Sequence, residues 1–234
     1  MVAWVDSDEV HPRGASPEVV TADEALRMVV ADARALLDGG AGRVIIGITG
    51  PPGTGKSTFA QRVAERVGAV ASYLPMDGFH LSNAQLDRLG KRSRKGAPDT
   101  FDVDGYRATL TRVAAAHGAR DVYVPDFDRA LEEPVAAGRV VPAESRVVVT
   151  EGNYLGVWEG VAALLDRLYY LDSLPAVRRA RLLARHAAGG RSGPEAQRWV
   201  ETVDDPNADL IAGTRDRCDR IFDVVVPKSV SDGR

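Results

Sequence analysis

Runs of branched apolar residues alternate along this chain with longer segments in which apolar residues recur at helical spacing. Apolar runs indicative of strands occupy residues 44–48, 70–76, 146–151, 168–172 and 221–226. Helical segments are indicated over residues 21–40, 57–67, 103–117, 175–186, from about 194, and 209–217. Short apolar runs bounded by turn residues are typical of buried strands, and strands that alternate with helices are typical of a parallel sheet. The pattern predicts an α/β fold.

The first apolar run leads directly into a glycine-rich loop and a helix start. The loop follows the pattern G-x-x-x-x-G-K-S from Gly50 to Ser57. A loop in this position directs free backbone N–H groups and the positive end of a helix dipole at one anion, which predicts phosphate binding. A glycine-rich turn beside a lysine is the alternative, and the preceding strand argues against it. The residues predicted to hold the nucleotide are Gly50, Gly53, Thr54, Gly55, Lys56, Ser57 and Thr58.

Two side chains of this loop have predicted roles beyond the backbone cradle. Lys56 is predicted to reach the β- and γ-phosphates, which makes it a candidate catalytic residue, and the Ser57 hydroxyl is predicted to bind Mg²⁺. Pro51 and Pro52 have no N–H, so the backbone donors are expected from Gly53 onward. The predicted cofactors are ATP and Mg²⁺.

The composition indicates one ordinary globular domain. The chain has 234 residues, of which 44% are hydrophobic and 27% charged, enough for one large α/β domain with a full core. We expect a single domain over residues 1–234. Residues 1–20 are predicted to be a loose lead-in, and residues 21–40 an N-terminal helix that starts with a capping box of Thr21 and Glu24.

The charge balance limits the classes of partner. With a formal net charge of -3, no overall basic field attracts nucleic acid or an anionic membrane, so neither is an expected partner. No apolar run is long enough to span a bilayer, and the first residues lack the regions of a secretory signal. Cys218, the single cysteine, can form no internal disulfide. These features predict a cytoplasmic protein with a small-molecule substrate.

An acidic residue follows the second predicted strand. The strand at residues 70–76 is followed by Asp77-Gly78-Phe79-His80. A strand–helix–strand unit of this length is a right-handed crossover, so Asp77 is expected at the same sheet edge as the glycine loop. There it could accept the proton of a substrate hydroxyl that attacks the γ-phosphorus. An Asp-Gly turn without chemistry is the alternative for Asp77, and a loop or capping role is the more common one for His80.

The stretch over residues 81–104 is irregular and contains a short basic run. A solvated basic run is the usual interpretation, but so long a loop leaving the binding edge is predicted to cover the substrate. An extended piece at residues 122–128 ends in acids, and residues 129–142 are predicted to form an excursion or hairpin. The predicted acceptor contacts are Asp77, His80, Arg94, Tyr106, Asp126, Asn153 and Tyr154.

Two further strands end in an acid, and either acid could serve on the metal side of the site. Glu151 ends the run of residues 146–151, and Asp172 ends the run of residues 168–172. The purer β-branched run and the Gly152-Asn153 step favour Glu151 for contact with Mg²⁺ or its bound waters. The similar form of the two runs leaves Asp172 as the alternative.

The helix predicted over residues 175–186 is rich in arginine and is followed by a glycine-rich turn. A mobile turn at residues 187–193 between two helices is typical of a lid. Arginines on such a lid can close on the transferring phosphate and exclude water, and Arg185 and Arg191 are the best placed for a catalytic role. A solvated helix face is the alternative for some of these arginines.

Several of these segments together resemble a known group of enzymes. The segments are G-P-P-G-T-G-K-S-T, M-D-G-F-H, R-K-G-A-P-D-T-F-D and T-E-G-N-Y-L, followed by the arginine-rich lid. They resemble the P-loop small-molecule kinases of the phosphoribulokinase, uridine kinase and pantothenate kinase group over roughly residues 44–226. The segment at residues 94–102 is especially similar to bacterial pantothenate kinases. Residues 125–128 depart from those enzymes, which have Tyr-Ser-His there, and residues 204–211 are more similar to other nucleoside/nucleotide kinase relatives.

The resemblance implies a fold and a set of roles. It implies a P-loop kinase fold with a five-stranded parallel sheet in the order 2-3-1-4-5, flanked by helices and carrying an Arg-rich lid. It implies that Asp77 is the substrate-contacting base, that Glu151 ends the second acidic strand, and that Arg185 and Arg191 belong to the lid. Members of the group commonly form homodimers, which is a further expectation.

Four functions are compatible with a phosphate-binding loop. The leading hypothesis is a kinase that phosphorylates a hydroxyl group of a pantothenate-, nucleoside- or sugar-like acceptor. A P-loop GTPase is disfavoured because no N-K-x-D guanine motif occurs in the sequence. A non-catalytic nucleotide-sensing protein could use the same loop. Nucleic-acid binding is the least favoured, because the chain is acidic and has one short basic run.

Overall fold

The main sheet is parallel and has six strands in the computed structural model, which describes residues 15–225. The strands of the described chain are β1 (Pro17–Thr21), β2 (Val44–Thr49), β3 (Ala71–Pro75), β4 (Val122–Asp128), β5 (Glu133–Val141), β6 (Val147–Glu151), β7 (Arg167–Asp172) and β8 (Arg220–Val225). The order across the main sheet is β1-β8-β7-β2-β6-β3, and every pairing in it is parallel. Strands β4 and β5 form a separate antiparallel hairpin, as predicted for residues 122–142.

The strand order confirms the predicted order 2-3-1-4-5 and adds one strand at its edge. The five predicted strands correspond to β2, β3, β6, β7 and β8. The sixth, β1, pairs with β8, so the prediction of a loose lead-in is wrong for residues 17–20. Val20 is buried there, and Glu18 accepts hydrogen bonds from the Arg220 guanidinium at 2.7 and 2.8 Å, which fixes the edge strand. Residues 1–14 and Val226 lie outside the described part of the chain.

Helices cover both faces of the sheet. They are α1 (Ala22–Asp38), α2 (Lys56–Val67), α3 (Asn83–Arg88), α4 (Val103–Ala115), α5 (Pro175–Ala188), α6 (Gly193–Trp199) and α7 (Asp205–Ala212). The predicted capping box is confirmed: the Glu24 N–H donates to the Thr21 hydroxyl, and the Glu24 carboxylate accepts from the Thr21 N–H. None of the helices within residues 15–225 combines the length and apolar character needed to cross a membrane.

Strand β2 is buried on both faces, which accounts for its unbroken run of branched apolar residues. Successive side chains of a strand point to opposite faces, so Ile45 and Ile46 belong to two different cores. The Ile46 core includes residues of α1 and α2, and the Ile45 core includes residues of α4 and the β4–β5 hairpin. The sheet is thus a middle layer, and the carboxyl ends of its strands are held in fixed register.

The β4–β5 hairpin packs closely on the turn that follows β3. A Cβ atom added to Gly78 would lie 2.6 Å from the carbonyl oxygen of Pro125 in β4, so only glycine permits this approach. The contact brings the end of the hairpin beside Asp77. A segment that is distant in sequence therefore lines the same sheet edge.

The Arg43 guanidinium connects the start of β2 to segments that are distant in sequence. It donates to the backbone carbonyl oxygens of Ser145, Val113, Pro142 and Ala143 at distances from 2.5 to 3.0 Å. Helix α4 and the segment that follows β5 are thereby joined to β2. The removal of this side chain would leave several carbonyl groups without their donor.

We predict that Arg43→Met lowers the free energy of unfolding by about 2 kcal/mol, because carbonyl groups shielded from water lose their hydrogen bonds. Urea unfolding followed by circular dichroism measures this loss. Arg146→Met is the matched control, since Arg146 is exposed and, among residues 15–225, donates to two carbonyls, those of Ala41 and Gly42. Equal stabilities of the two variants would contradict the prediction.

Candidate active site

The glycine loop connects β2 to α2 and curls at the carboxyl edge of the sheet. Gly50, Gly53 and Gly55 have φ angles of 147°, 81° and 94°, in the left-handed region that favours glycine. A Cβ atom at Gly50 would lie 2.0 Å from the carbonyl oxygen of Leu171, and one at Gly53 would lie 2.7 Å from that of Arg178. The loop is therefore enclosed on its outer side by β7 and α5, and its inner side faces a cleft.

Lys56 begins α2 and is nearly buried, with 7% of the residue exposed. Its ammonium group donates to the carbonyl oxygen of Pro51 at 2.8 Å and lies 3.5 Å from the Thr54 hydroxyl. Burial lowers the pKa of Lys56 to about 8, although the negative charge of Glu151 opposes the shift. The lysine is thus held across the loop in a place that lacks solvent to stabilise its charge.

Glu151 lies at the end of β6, directly beside β2. The buried carboxylate accepts a hydrogen bond from the Tyr73 hydroxyl at 2.8 Å, and the Ser57 side chain lies near it. Burial, reinforced by the charge of Asp77, raises the pKa of Glu151, and Lys56 opposes the shift. Glu151 is therefore held in place between the glycine loop and strand β3.

Asp172, the alternative acid, has a different environment. Its carboxylate is engaged by Arg178 at 2.9 Å and by Arg215 at 3.3 Å, and it does not line the cleft. The geometry favours Glu151 as the acid on the metal side. Ser57 and Glu151 supply the hard oxygen donors that suit Mg²⁺. Within residues 15–225 no group of three or more His, Cys, Asp or Glu residues could hold a metal ion.

Asp77 lies in the short 3-10 helix that follows β3 and faces the same cleft. Its carboxylate accepts a hydrogen bond from the Arg129 guanidinium at 2.9 Å, and Arg129 comes from the turn of the β4–β5 hairpin. Burial opposes ionisation, but the positive charges of His80, Arg129 and Arg185 outweigh it and lower the pKa of Asp77. The carboxylate is thus ionised at neutral pH.

Aromatic and basic side chains surround the half of the cleft next to Asp77. The His80 ring lies 4.0 Å from the Phe101 ring and 4.9 Å from the Phe127 ring, between centroids. The Lys95 ammonium donates to the Asn83 side chain at 2.8 Å and lies 5.2 Å from the centre of Phe127. Together with the loop region, this half forms one cleft of about 1340 Å³.

Four of the predicted acceptor contacts lie outside the cleft, so their prediction is corrected. Arg94 forms an ion pair with Asp99 on the covering loop. Asp126 forms an ion pair with Arg139 at 2.9 Å on the hairpin. Tyr106 and Tyr154 are fully buried; their hydroxyl groups contact Thr150 at 2.6 Å and the Gly96 carbonyl at 2.5 Å, respectively. The remaining three, Asp77, His80 and Asn153, do line the cleft.

Two loop residues of the predicted nucleotide site support the loop from outside the cleft. Gly50 is packed against β7, as described above. The Thr54 hydroxyl donates to the carbonyl oxygen of Pro51 at 3.0 Å. The other five predicted residues, from Gly53 to Thr58, line the cleft.

The arginines of α5 and the following turn have different partners. Arg185 and Arg191 line the cleft. Arg181, which the sequence did not single out, also lines it and donates to the carbonyl oxygens of Gly53 and Thr54 at 3.3 and 3.0 Å. In contrast, Arg178 and Arg179 form ion pairs with acidic residues that do not belong to the nucleotide loop. The solvated-face alternative therefore fits Arg179, whose side chain is 41% exposed, whereas Arg178 is 17% exposed and is paired with Asp172 of β7.

These features define a class of protein. A glycine loop connects strand β2 of a parallel sheet to helix α2. Two carboxylates, Asp77 and Glu151, lie at the ends of the neighbouring strands β3 and β6, and arginines lie across the cleft. This is the P-loop kinase fold. The model of the phosphoribulokinase/uridine kinase family matches residues 45–231, and the chain belongs to this family. It is a small-molecule kinase, that is, a phosphotransferase.

Similar proteins come from bacteria and fungi. Protein C227.14 of Schizosaccharomyces pombe, named provisionally as a uridine kinase, is 37% identical over 168 residues, which cover 66% of this chain and 71% of that protein. Protein YggC of Escherichia coli is 33% identical over 72% of this chain and 73% of its own. A crystal structure from Silicibacter sp. TM1040, described as a candidate kinase of a fructose transport system, has a TM-score of 0.72 and 33% identity, and covers 83% of this chain and 98% of that one.

Proposed function

We propose that this protein is an ATP- and Mg²⁺-dependent kinase that transfers the γ-phosphate of ATP to a hydroxyl group of a small metabolite bound beside Asp77. The observation that carries the proposal is that one continuous cleft contains both halves of the site. The glycine loop and Lys56 lie at one end, and the ionised Asp77 with an aromatic wall lies at the other. Phosphoryl transfer needs this arrangement, because it depends mainly on positioning and on stabilisation of charge.

The nucleotide half would hold the triphosphate by fixed donors. The backbone N–H groups of residues 53–58 would donate to the phosphate oxygens. Lys56 would pair with the β- and γ-phosphates. The Ser57 hydroxyl and the Glu151 carboxylate would hold Mg²⁺, which when bound neutralises phosphate charge. Arg185 and Arg191 would close on the γ-phosphate and exclude water from the reacting group.

In the acceptor half, Asp77 would orient the attacking hydroxyl group. The hydroxyl oxygen forms a bond to the γ-phosphorus, the bond from that phosphorus to the β,γ-bridging oxygen breaks, and ADP leaves. The hydroxyl proton passes to the Asp77 carboxylate. A lowered pKa is compatible with this role, because the transition state is loose and the proton is transferred late.

We infer that the acceptor is pantothenate-, nucleoside- or sugar-like. The rings of His80, Phe101 and Phe127 offer flat surfaces for a base or for the apolar face of a sugar. Asn83 and Lys95 offer hydrogen-bond donors beside them. The names of two relatives, which refer to uridine and to fructose transport, support a nucleoside or a sugar.

A screen of ATP consumption tests the proposal. The purified protein is incubated with ATP and Mg²⁺ and with single members of a panel of pantothenate, nucleosides, nicotinamide riboside and sugars, and ADP release is recorded. We expect stimulated turnover with one class of acceptor. A protein that binds ATP but shows no stimulation across the panel would support the nucleotide-sensing alternative, and a strong preference for GTP would support a GTPase.

A further inference from the structure

A buried histidine–aspartate pair lies beside the lid and has no part in the function proposed so far. His186, in the last turn of α5, lies 2.7 Å from Asp204, measured from Nε2 to Oδ2, and both residues are buried. Asp204 ends a π-helical segment, residues 200–204, which connects α6 to α7. Buried polar groups of this kind need partners, and π-helical turns are frequent at functional sites.

The same histidine contacts a lid arginine. Arg191 Nη1 lies 3.3 Å from His186 Nδ1, and the Arg191 backbone N–H donates to the His186 carbonyl oxygen at 3.1 Å. The guanidinium carbon also lies 4.0 Å from the centre of the Trp199 ring, within the range of a cation–π contact. Arg191 is therefore held between an imidazole and an indole.

The donor and acceptor groups fix the direction of the hydrogen bonds that link Arg191, His186 and Asp204. A guanidinium can only donate, so Nδ1 of His186 must be the acceptor from Arg191. Nε2 then carries the ring proton and donates it to the Asp204 carboxylate. Asp204 thus orients His186, and His186 orients Arg191.

We propose that His186, Asp204 and Trp199 are positioning residues that hold Arg191 toward the cleft before the nucleotide binds. This inference rests on the proposed function, because it assumes that Arg191 contacts the phosphates of ATP. A free arginine side chain loses much rotamer freedom when it binds, and a side chain that is already ordered loses less. The three residues therefore increase the affinity for ATP through Arg191.

A purely structural role is the competing explanation, and one substitution separates the two. In His186→Gln, the amide nitrogen of glutamine takes the place of Nε2 and still donates to Asp204. The imidazole Nδ1, which is the acceptor that faces Arg191, is lost. A structural pair would tolerate this change, whereas a positioning role for Arg191 would not.

The experiment is a double-mutant cycle on ATP affinity, measured by displacement of a fluorescent ATP analogue. We expect Arg191→Gln to weaken ATP binding about tenfold and His186→Gln about threefold, and the double variant to bind no more weakly than Arg191→Gln alone. Arg179→Gln is the matched control. Arg179 is on the same helix and pairs with Glu201 and Asp205, but it does not line the cleft. The affinity of the Arg179→Gln variant for ATP should therefore equal that of the wild type.

Additive losses in the double variant, or wild-type affinity in a folded His186→Gln protein, would overturn the inference. Should His186→Gln fail to fold, Trp199→Leu takes its place in the cycle with the same expectation of non-additivity. A wild-type protein that binds no ATP would overturn the proposed function itself, and this inference with it.

Discussion

Replacement of Lys56 by methionine is expected to lower kcat/KM by at least about 10³-fold while it makes the unliganded protein more stable. The loss of activity follows from the position of the ammonium group, which lines the cleft at the base of the glycine loop. Methionine has a similar length but no charge and no hydrogen-bond donor. It cannot stabilise the charge that develops on the transferring phosphate.

The gain in stability follows from the burial of a charged group. Burial lowers the pKa of Lys56 to about 8 from an ordinary value of 10.5, so the folded protein binds this proton less tightly than the unfolded chain does. Stability therefore rises with pH between about 8 and 10.5, and the full unfavourable contribution is present below pH 8. Methionine removes this contribution, on the order of 3 kcal/mol, at neutral pH.

Thermal unfolding with and without ATP measures both effects. Without ATP, Tm should be higher for Lys56→Met than for the wild type. With ATP, the wild-type Tm should rise and that of the variant should not, because only the wild type binds the ligand tightly. Lys91→Met is the control: Lys91 pairs with Asp99 outside the cleft, so this variant should keep its response to ATP. An ATP response in Lys56→Met equal to that of the wild type would contradict the assignment.

The part of the site that could be predicted from sequence is the part built from contiguous residues. The glycine loop and Asp77 come just after buried strands and Glu151 ends one, and parallel strands bring their carboxyl ends to one edge. The edge strand β1 gave no such signal, because only one of its five residues, Val20, is buried. It is fixed by pairing with β8, which lies about two hundred residues further along the chain.

Side-chain direction could not be predicted from closeness to a motif. Tyr106 and Tyr154 lie near the covering loop and the Glu151 strand in sequence, but both turn into the core, where their hydroxyl groups find buried partners. The pairing of Arg129 with Asp77 and that of His186 with Asp204 were not predicted, for a related reason. Their partners are separated from them by 52 and 18 residues, so only the folded chain brings each pair together.

Substitution of Asp77 by asparagine is expected to lower kcat/KM for the acceptor about 10³-fold, because a general base that also orients the attacking hydroxyl contributes on this scale. Asparagine keeps the size of the side chain and an oxygen that can accept from Arg129. It cannot take up the hydroxyl proton. Affinity for ATP should change little, since the loop and Lys56 are untouched. Coupled ADP release with the acceptor found in the screen measures the first quantity, and displacement of a fluorescent ATP analogue measures the second.

Asp126→Asn is a closely matched control for this experiment. The Asp126 side chain is 30% exposed and that of Asp77 is 28% exposed, and each carboxylate pairs with an arginine of the hairpin at 2.9 Å. Only Asp77 lines the cleft. If both variants lost activity equally, the loss would come from a disturbed hairpin rather than from a missing base. Near-normal turnover of Asp77→Asn would remove Asp77 from the base role, whereas a loss confined to Asp77→Asn would assign the proton transfer to this carboxylate.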